Sequence, residues 1–162
     1  MSLVKTAGWS VIAAALAWAA VPVSASAEIY GEDGVSGPEV ADILQTAGYR
    51  AELTKDGVGD PLVRTTMSGV NVQVYFYNCN SVGRCEDIQF SVGFDMANGT
   101  SQSVIDEWNR TKRFGRAYLD DENDPFIKVD LQVGPGGTPQ LIAGYVRTME
   151  AVLEGFTEHI DF

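Results

Sequence analysis

The segment "VNVQVYFYNCNSVGRCEDIQFSVGF", residues 70–94, constrains the fold more than any other part of the chain. Val70, Val72, Val74 and Phe76 recur at every second position, and Ile88, Phe90, Val92 and Phe94 repeat the pattern after an interruption. A period of two marks strands with one apolar face, so this is a hairpin that needs other elements to cover that face. The interruption holds both of the chain's cysteines, Cys79 and Cys85. Each has the opposite parity to the apolar positions, which predicts that both project from the non-core side and meet across the hairpin mouth. A bond there closes a very short loop and should contribute less than the ~3 kcal/mol expected of a fifteen-residue loop.

The flanking sequence supplies the cover. Further strands are expected near 50–55 and 61–67, so that with 70–78 and 85–94 the chain forms a four-strand meander. Ahead of it, "SGPEVADILQTAGYR" reads as a helix with Pro38 in its first turn, Val40, Ile43, Leu44 and Ala47 on one face, and Gly48 at its end. Behind it, Thr100 or Ser101 caps a helix that carries Val104, Ile105 and Trp108 inward and ends near Gly115. The run "RAYLDDENDPFIKVDLQV" is a hairpin, and Thr138 with Pro139 opens a last helix. In that helix Leu141, Ile142, Tyr145, Met149, Val152, Leu153, Phe156 and Ile160 recur at helical spacing, and Gly144 and Gly155 suggest close approach by another element. The order predicts an α+β domain with helices packed on one sheet. Counted from Asp56 and Asp120, "DGVGDPLV" and "DDENDPFI" share the pattern D-x-x-x-D-P and both read as hairpin tips. The second has many acids but lacks the glycine and distal glutamate of an EF-hand.

The first 27 residues have one charge, Lys5, an Ala-rich run broken by Pro22, and a small-x-small end at Ala25-Ser26-Ala27. They read as a cleaved secretory signal, with the mature chain starting at Glu28, a short segment over 28–35 and one domain over 36–160. The apolar run falls short of a spanning helix, and no stable membrane insertion is expected after cleavage. A periplasmic or secreted location follows, where two nearby cysteines are expected to pair. The full chain has 22 acidic against 11 basic residues, a net charge of −11, which argues against nucleic acid as a partner.

Against that balance, "EWNRTKRFGRAYLDDENDPF" concentrates Arg110, Lys112, Arg113 and Arg116 in seven positions. With the helix read as ending near Gly115, Arg110, Lys112 and Arg113 sit in its last turn, where unpaired carbonyls favour positive charge. Asp106 and Glu107 lie one turn upstream, within reach of Arg110 and Arg113. Phosphate recognition would need a helix N-terminus, so the cluster reads as architecture.

The same stretch carries a resemblance. "IDEWNRTKRFGRAYLDDENDPF" resembles the helix-to-hairpin motif of the YbjN family of bacterial sensory transduction regulators, with Asp106 where the family often has Asn. Its motif positions here are Trp108, Asn109, Arg110, Arg113, Phe114, Gly115, Arg116, Asp120, Asp124 and Pro125. "AGYRAELTKDGVGDPLVRTTMSGVNVQVYFYNC" and "CEDIQFSVGFDM" are similar to the family's strand region, including the paired cysteines of exported members, and the likeness runs over roughly residues 36 to 158. The resemblance implies a fold like that of type III secretion chaperones, small subunits that are often dimeric and hold partner polypeptides without chemistry. It implies no catalytic residue set.

The residues themselves point the same way. There is one histidine, His159, near the chain end, where it reads as a surface residue helping the helix terminus. One histidine leaves a Ser-His-Asp or Cys-His site a single candidate base, and no spacing suggests a metal or a bound cofactor. A hydrolase with an unfamiliar site is the remote alternative. On the face opposite the core the meander offers Tyr75, Tyr77, Gln73 and Gln89, with Asn71 and Ser91 beside them. Tyrosines among amides suit an interface, so these are the candidate binding residues, for a polypeptide partner or, alternatively, a small molecule.

Overall fold

The computed structural model describes residues 29–162; the expected signal sequence lies outside them. The chain is α+β, as its pattern predicts, with three helices on one antiparallel sheet. The elements are β1 (Val35–Ser36), α1 (Gly37–Thr46), β2 (Ala51–Lys55), β3 (Pro61–Met67), β4 (Val70–Cys79), β5 (Arg84–Gly93), α2 (Gln102–Thr111), β6 (Arg116–Leu119), β7 (Pro125–Gln132) and α3 (Pro139–Ile160). The sheet order is β2-β3-β4-β5-β7-β6, so the late hairpin joins the meander through its second strand, and the two-residue β1 pairs with β5.

The core forms where the apolar stripes of the helices meet the inward face of the strands. Val72, Val74, Phe76, Ile88, Phe90 and Val92 are buried as their alternation requires, together with Ile127, Val129 and Leu131 from β7. Helix α3 lies across this face and contacts both α1 and α2. Its buried set is Ile142, Val146, Met149, Val152, Leu153, Phe156 and Ile160. Leu141, placed on the stripe by spacing alone, is 39 % exposed, and Tyr145 is half-buried, because the stripe turns with the helix and Val146 takes the inward position. In α1 the same adjustment exposes Ala47, the C-cap, and buries Ala41. A Cβ on Gly155 would touch the Trp108 ring at 3.6 Å, whereas one on Gly144 would meet only Arg147 of its own helix, so only one of the two glycines faces another element.

The cystine departs from the parity expectation. Cys79 and Cys85 pair directly in the ladder and are bonded, S–S 2.13 Å. Cys85, however, is fully buried, and Cys79 packs against the core cluster that includes Val35. Asn78 has φ +53° and the ladder omits its cross-strand pair, yet the register is the same on both sides of it. What differs is the neighbour: β1 pairs with β5 here, Val35 opposite Cys85, so the end of the hairpin is covered. Next to the cystine, the Glu39 carboxylate accepts from the Ser36 amide and hydroxyl, both at 2.7 Å, and pairs with Arg84 at 3.2 Å. Burial alone would raise that carboxyl; the bonds from Ser36 and the charge of Arg84 outweigh it and hold Glu39 below its ordinary value.

The two D-x-x-x-D-P segments are hairpin tips of one geometry. Asp56 Oδ1 accepts from the amides of Val58, Gly59 and Asp60, and Asp120 Oδ1 from those of Glu122 and Asp124. The cystine loop is a third copy, with Asn80 Oδ1 accepting from Val82 and Arg84. In each tip the fourth residue is left-handed: Gly59 at φ +100°, Gly83 at +78° and Asn123 at +66°. Asn is the one side chain in the three that resists this conformation.

Denaturation measurements test this packing at two points. Asn123→Gly should raise stability by about 0.5–1 kcal/mol, and Gly59→Ala should lower it by ~1–2 kcal/mol, both read from urea midpoints. The other point is Tyr49, whose hydroxyl donates to Glu150 and ties the α1–β2 turn to α3. Burial, then the hydrogen bond to Glu150 and its charge, push the Tyr49 phenol up to about 12 from 10.0. The fold therefore favours the neutral phenol, a contribution present below pH 10 and lost as pH rises toward 12. Tyr49→Phe should be less stable than the parent at neutral pH, and the gap should narrow above pH ~10 in the same assay.

Candidate functional site

Helix α2 and strand β6 explain the motif at 107–126. Trp108 is buried, with its ring edge-on to Phe156 at 4.9 Å, and its indole N–H donates to the Gly115 carbonyl at 2.8 Å. Gly115 has φ +83°, and a Cβ there would stand 2.8 Å from Ile127 and 2.9 Å from Val152, so the close turn needs glycine. Asn109 makes two bonds to one residue: its amide nitrogen donates to the Ala117 carbonyl, and its Oδ1 accepts from the Ala117 amide, both at 2.9 Å. β6 is the last strand of the sheet, so the Asn109 side chain occupies backbone groups that an added strand would use.

The basic cluster does not make the contacts expected of it. α2 ends at Thr111, with Lys112 already extended, so Arg110 alone of the three lies in the last turn. Lys112 turns back over the Trp108 ring at 5.5 Å and Arg113 lies over Phe114 at 5.1 Å. Asp106 accepts from Gln102 rather than from Arg110, and Arg84–Glu39 is the one ion pair among the described residues. His159 also differs from expectation: it is half-buried, and its Nε2 lies 2.8 Å from the Val104 carbonyl, linking α3 to α2.

The ladder register brings the candidate binding residues together on the sheet's other face. Tyr75 lies opposite Gln89, which lies opposite Asp130; Gln73, Ser91 and Lys128 form the next row, and Tyr77, Asp87 and Gln132 the row on the other side. The Gln89 amide is used at both ends, accepting from the Tyr77 hydroxyl at 3.3 Å and donating to Asp130 at 2.5 Å. The Tyr75 hydroxyl donates to Gln73 at 2.5 Å. This face is less wet than alternation implies: Gln89 and Ser91 are only 8 % and 7 % exposed, because the larger side chains of neighbouring rows close over them. Tyr77 stands 44 % exposed, and burial pushes its phenol above the ordinary value, with Tyr75, Asp130 and Asp56 adding to the effect and Lys128 opposing it.

Sequence reasoning missed the far half of the face. Tyr118 stacks on Phe126 at 5.3 Å, Lys128 lies 5.2 Å from the Tyr118 ring, and Phe126 lies over Gly93, where a Cβ would come within 2.5 Å of it. The signal was there: Phe126, Lys128 and Asp130 alternate with the buried Ile127, Val129 and Leu131. Among the described residues no group of three or more His, Cys, Asp or Glu side chains is placed to hold a metal ion.

The family profile of YbjN, "Putative bacterial sensory transduction regulator", matches residues 38–162. The chain belongs to the YbjN family. No curated protein matches it. Among solved structures, this YbjN chain is similar to the Yersinia pestis type III secretion chaperone SycH, crystallised in complex with a stable fragment of YscM2. The two share 13 % identity over 70 % of this chain and 92 % of that one, with a TM-score of 0.47. In this YbjN domain Trp108 and Gly115 of the motif face the core and Asn109 the β6 edge, whereas Arg116 shares a row with Lys128 and Ser91 on the tyrosine-bearing face.

Asn109→Ala should strip Ala117 of both partners and cost about 1–3 kcal/mol. With the β6 edge uncovered, the variant should also self-associate at concentrations where the parent does not, as read by light scattering.

Proposed function

We propose that this YbjN protein is a non-enzymatic binding domain that works outside the cytoplasm and holds an extended polypeptide segment across the open face of its sheet. One observation carries the reading: Tyr75 and Tyr77 stand over an amide network whose members are hydrogen-bonded to one another. Their rings offer contact area while the hydroxyls stay satisfied, the composition that protein interfaces favour. The face continues across the strands to the Tyr118–Phe126 stack, a length suited to an extended chain more than to a compact ligand. The net charge of −11 favours a partner segment that carries basic residues. The Cys79–Cys85 bond supports an oxidising compartment. Pairing of two copies would use a different surface, the groove between α1 and α3 lined by Ile43, Ala143 and Val146.

A photo-crosslinking residue placed at Tyr77 should trap a polypeptide in the producing cells, and the same residue at Glu158, exposed on α3 outside that groove, should not. Tyr75→Ala should weaken the trapping at least about ten-fold, the loss of a typical aromatic anchor. Equal yields from both positions, or none from Tyr77, would refute the assignment of the face.

A further inference from the structure

The open face of the sheet is polarised in charge along its strands. Followed from β2 to β6, one row of the register reads Glu52, Arg64, Gln73, Ser91, Lys128 and Arg116, three bases with a single acid at the sheet's edge. The next row carries Tyr75, Gln89 and Asp130, and the row beyond it Tyr77, Asp87 and Gln132. No base stands in either of these rows. Asp56, at the β2–β3 tip, is a third acid, near enough to add to the burial that raises the Tyr77 phenol. A crevice of about 450 Å³ opens in this acidic zone, lined by Tyr77, Asp87, Gln89, Asp130 and Gln132.

These charges are not neutralised from within. Arg84–Glu39, the one ion pair among the described residues, involves none of them. Asp87 accepts from the Asn78 amide and Asp130 from that of Gln89, both at 2.5 Å, so each carboxylate is held by a neutral group and has no cation. Where the two zones adjoin on β7, Lys128 leans over the Tyr118 ring, in the row on its other side from Asp130. Arg64 and Arg116 are exposed and enter no hydrogen bond among the described residues. Rows lie two residues apart along a strand, so the Asp87 row stands about 13 Å from the Lys128 row. An extended chain covers that distance in four residues, and its side chains at i and i+4 point the same way.

We propose, resting on the binding face assigned above, that the segment held there is itself polarised: a basic side chain lies in the crevice against Tyr77, Asp87 and Asp130, and an acidic side chain four residues away meets Arg116 and Lys128. The Tyr77 ring offers a cation its negative face, and the two carboxylates supply the counter-charge. The Arg116 guanidinium matches a carboxylate in both charge and shape. Only one direction of the segment satisfies both ends, so the order of its charges fixes how it lies. Net charge alone would select differently, since a chain at −11 attracts basic segments wherever they land.

The test is fluorescence anisotropy of the purified protein with four labelled nine-residue peptides of valine, threonine and serine that differ only at positions three and seven. One carries arginine and glutamate there, the others two arginines, two glutamates or two glutamines. The arginine–glutamate peptide should bind at least about ten-fold more tightly than each of the others, the doubly basic one included. Arg116→Glu should turn the preference toward the doubly basic peptide, a result that loss of folding does not produce. Tightest binding of the doubly basic peptide to the parent overturns the proposal, as does an unchanged order in Arg116→Glu or no binding by any of the four. Crosslinking from Tyr77 is read separately, so a charge pattern that fails while the trap still works removes the polarised segment and leaves the face in place.

Discussion

The seating of Trp108 and Asn109 on the Gly115–Ala117 backbone is the contact on which the second half of the structure depends. A ten-residue helix is marginal by itself, so α2 persists through what it buries. Trp108 fills the space between α3 and the sheet, against Phe156 and beside Gly155, and its N–H fixes the carbonyl of Gly115. One residue on, Asn109 holds both backbone groups of Ala117. Consecutive helical residues point about 100° apart, so the pair grips the core with one side chain and the edge strand with the next. Lys112, folded over the indole, completes the seat. Of the four basic residues concentrated here, Lys112 and Arg113 lie over rings where the helix ends and the chain reverses.

The fold is largely legible in the sequence because its signals are local. Alternation locates the strands to within a residue or so, and Pro38, Ser101, Thr138 and Pro139 mark helix starts by chemistry that acts within a turn. What fails is extrapolation to places where another segment adds contacts. Counting from Phe76 leaves the cystine bare, whereas β1 pairs beside it, Val35 opposite Cys85, and Cys85 is buried. The helix over Gln102–Thr111 stops short of the expected end because Gly115, which looks like a C-cap, serves as a turn pressed against Ile127 and Val152. The two-residue β1 carries no periodicity to detect.

The candidate surface is half legible for a related reason. Tyr75, Tyr77, Gln73 and Gln89 belong to consecutive strands, so parity alone assembles them. Tyr118, Phe126, Lys128 and Asp130 join the same face only because β7, not β6, pairs with β5. No local rule dictates that choice; it follows from α2 crossing the sheet and delivering the chain to the far edge.

The two faces of the sheet also divide the energetic work. The helix side is closed by aliphatic and aromatic burial, and Thr65 is the one unpaired buried polar side chain among the described residues. On the opposite side, polar groups lie nearly as deep, yet Gln89 is bonded at both ends of its amide and Tyr75 is fixed to Gln73. A satisfied network of this kind immobilises its rings before anything binds. An incoming chain would then lose its own freedom but little from the domain, and the entropic opposition to association falls accordingly. Rigid aromatics with few rotatable bonds are effective contact groups for this reason. A face serving only as solvent boundary would gain nothing from holding its tyrosines in place, and lysine or glutamate would have covered the same area.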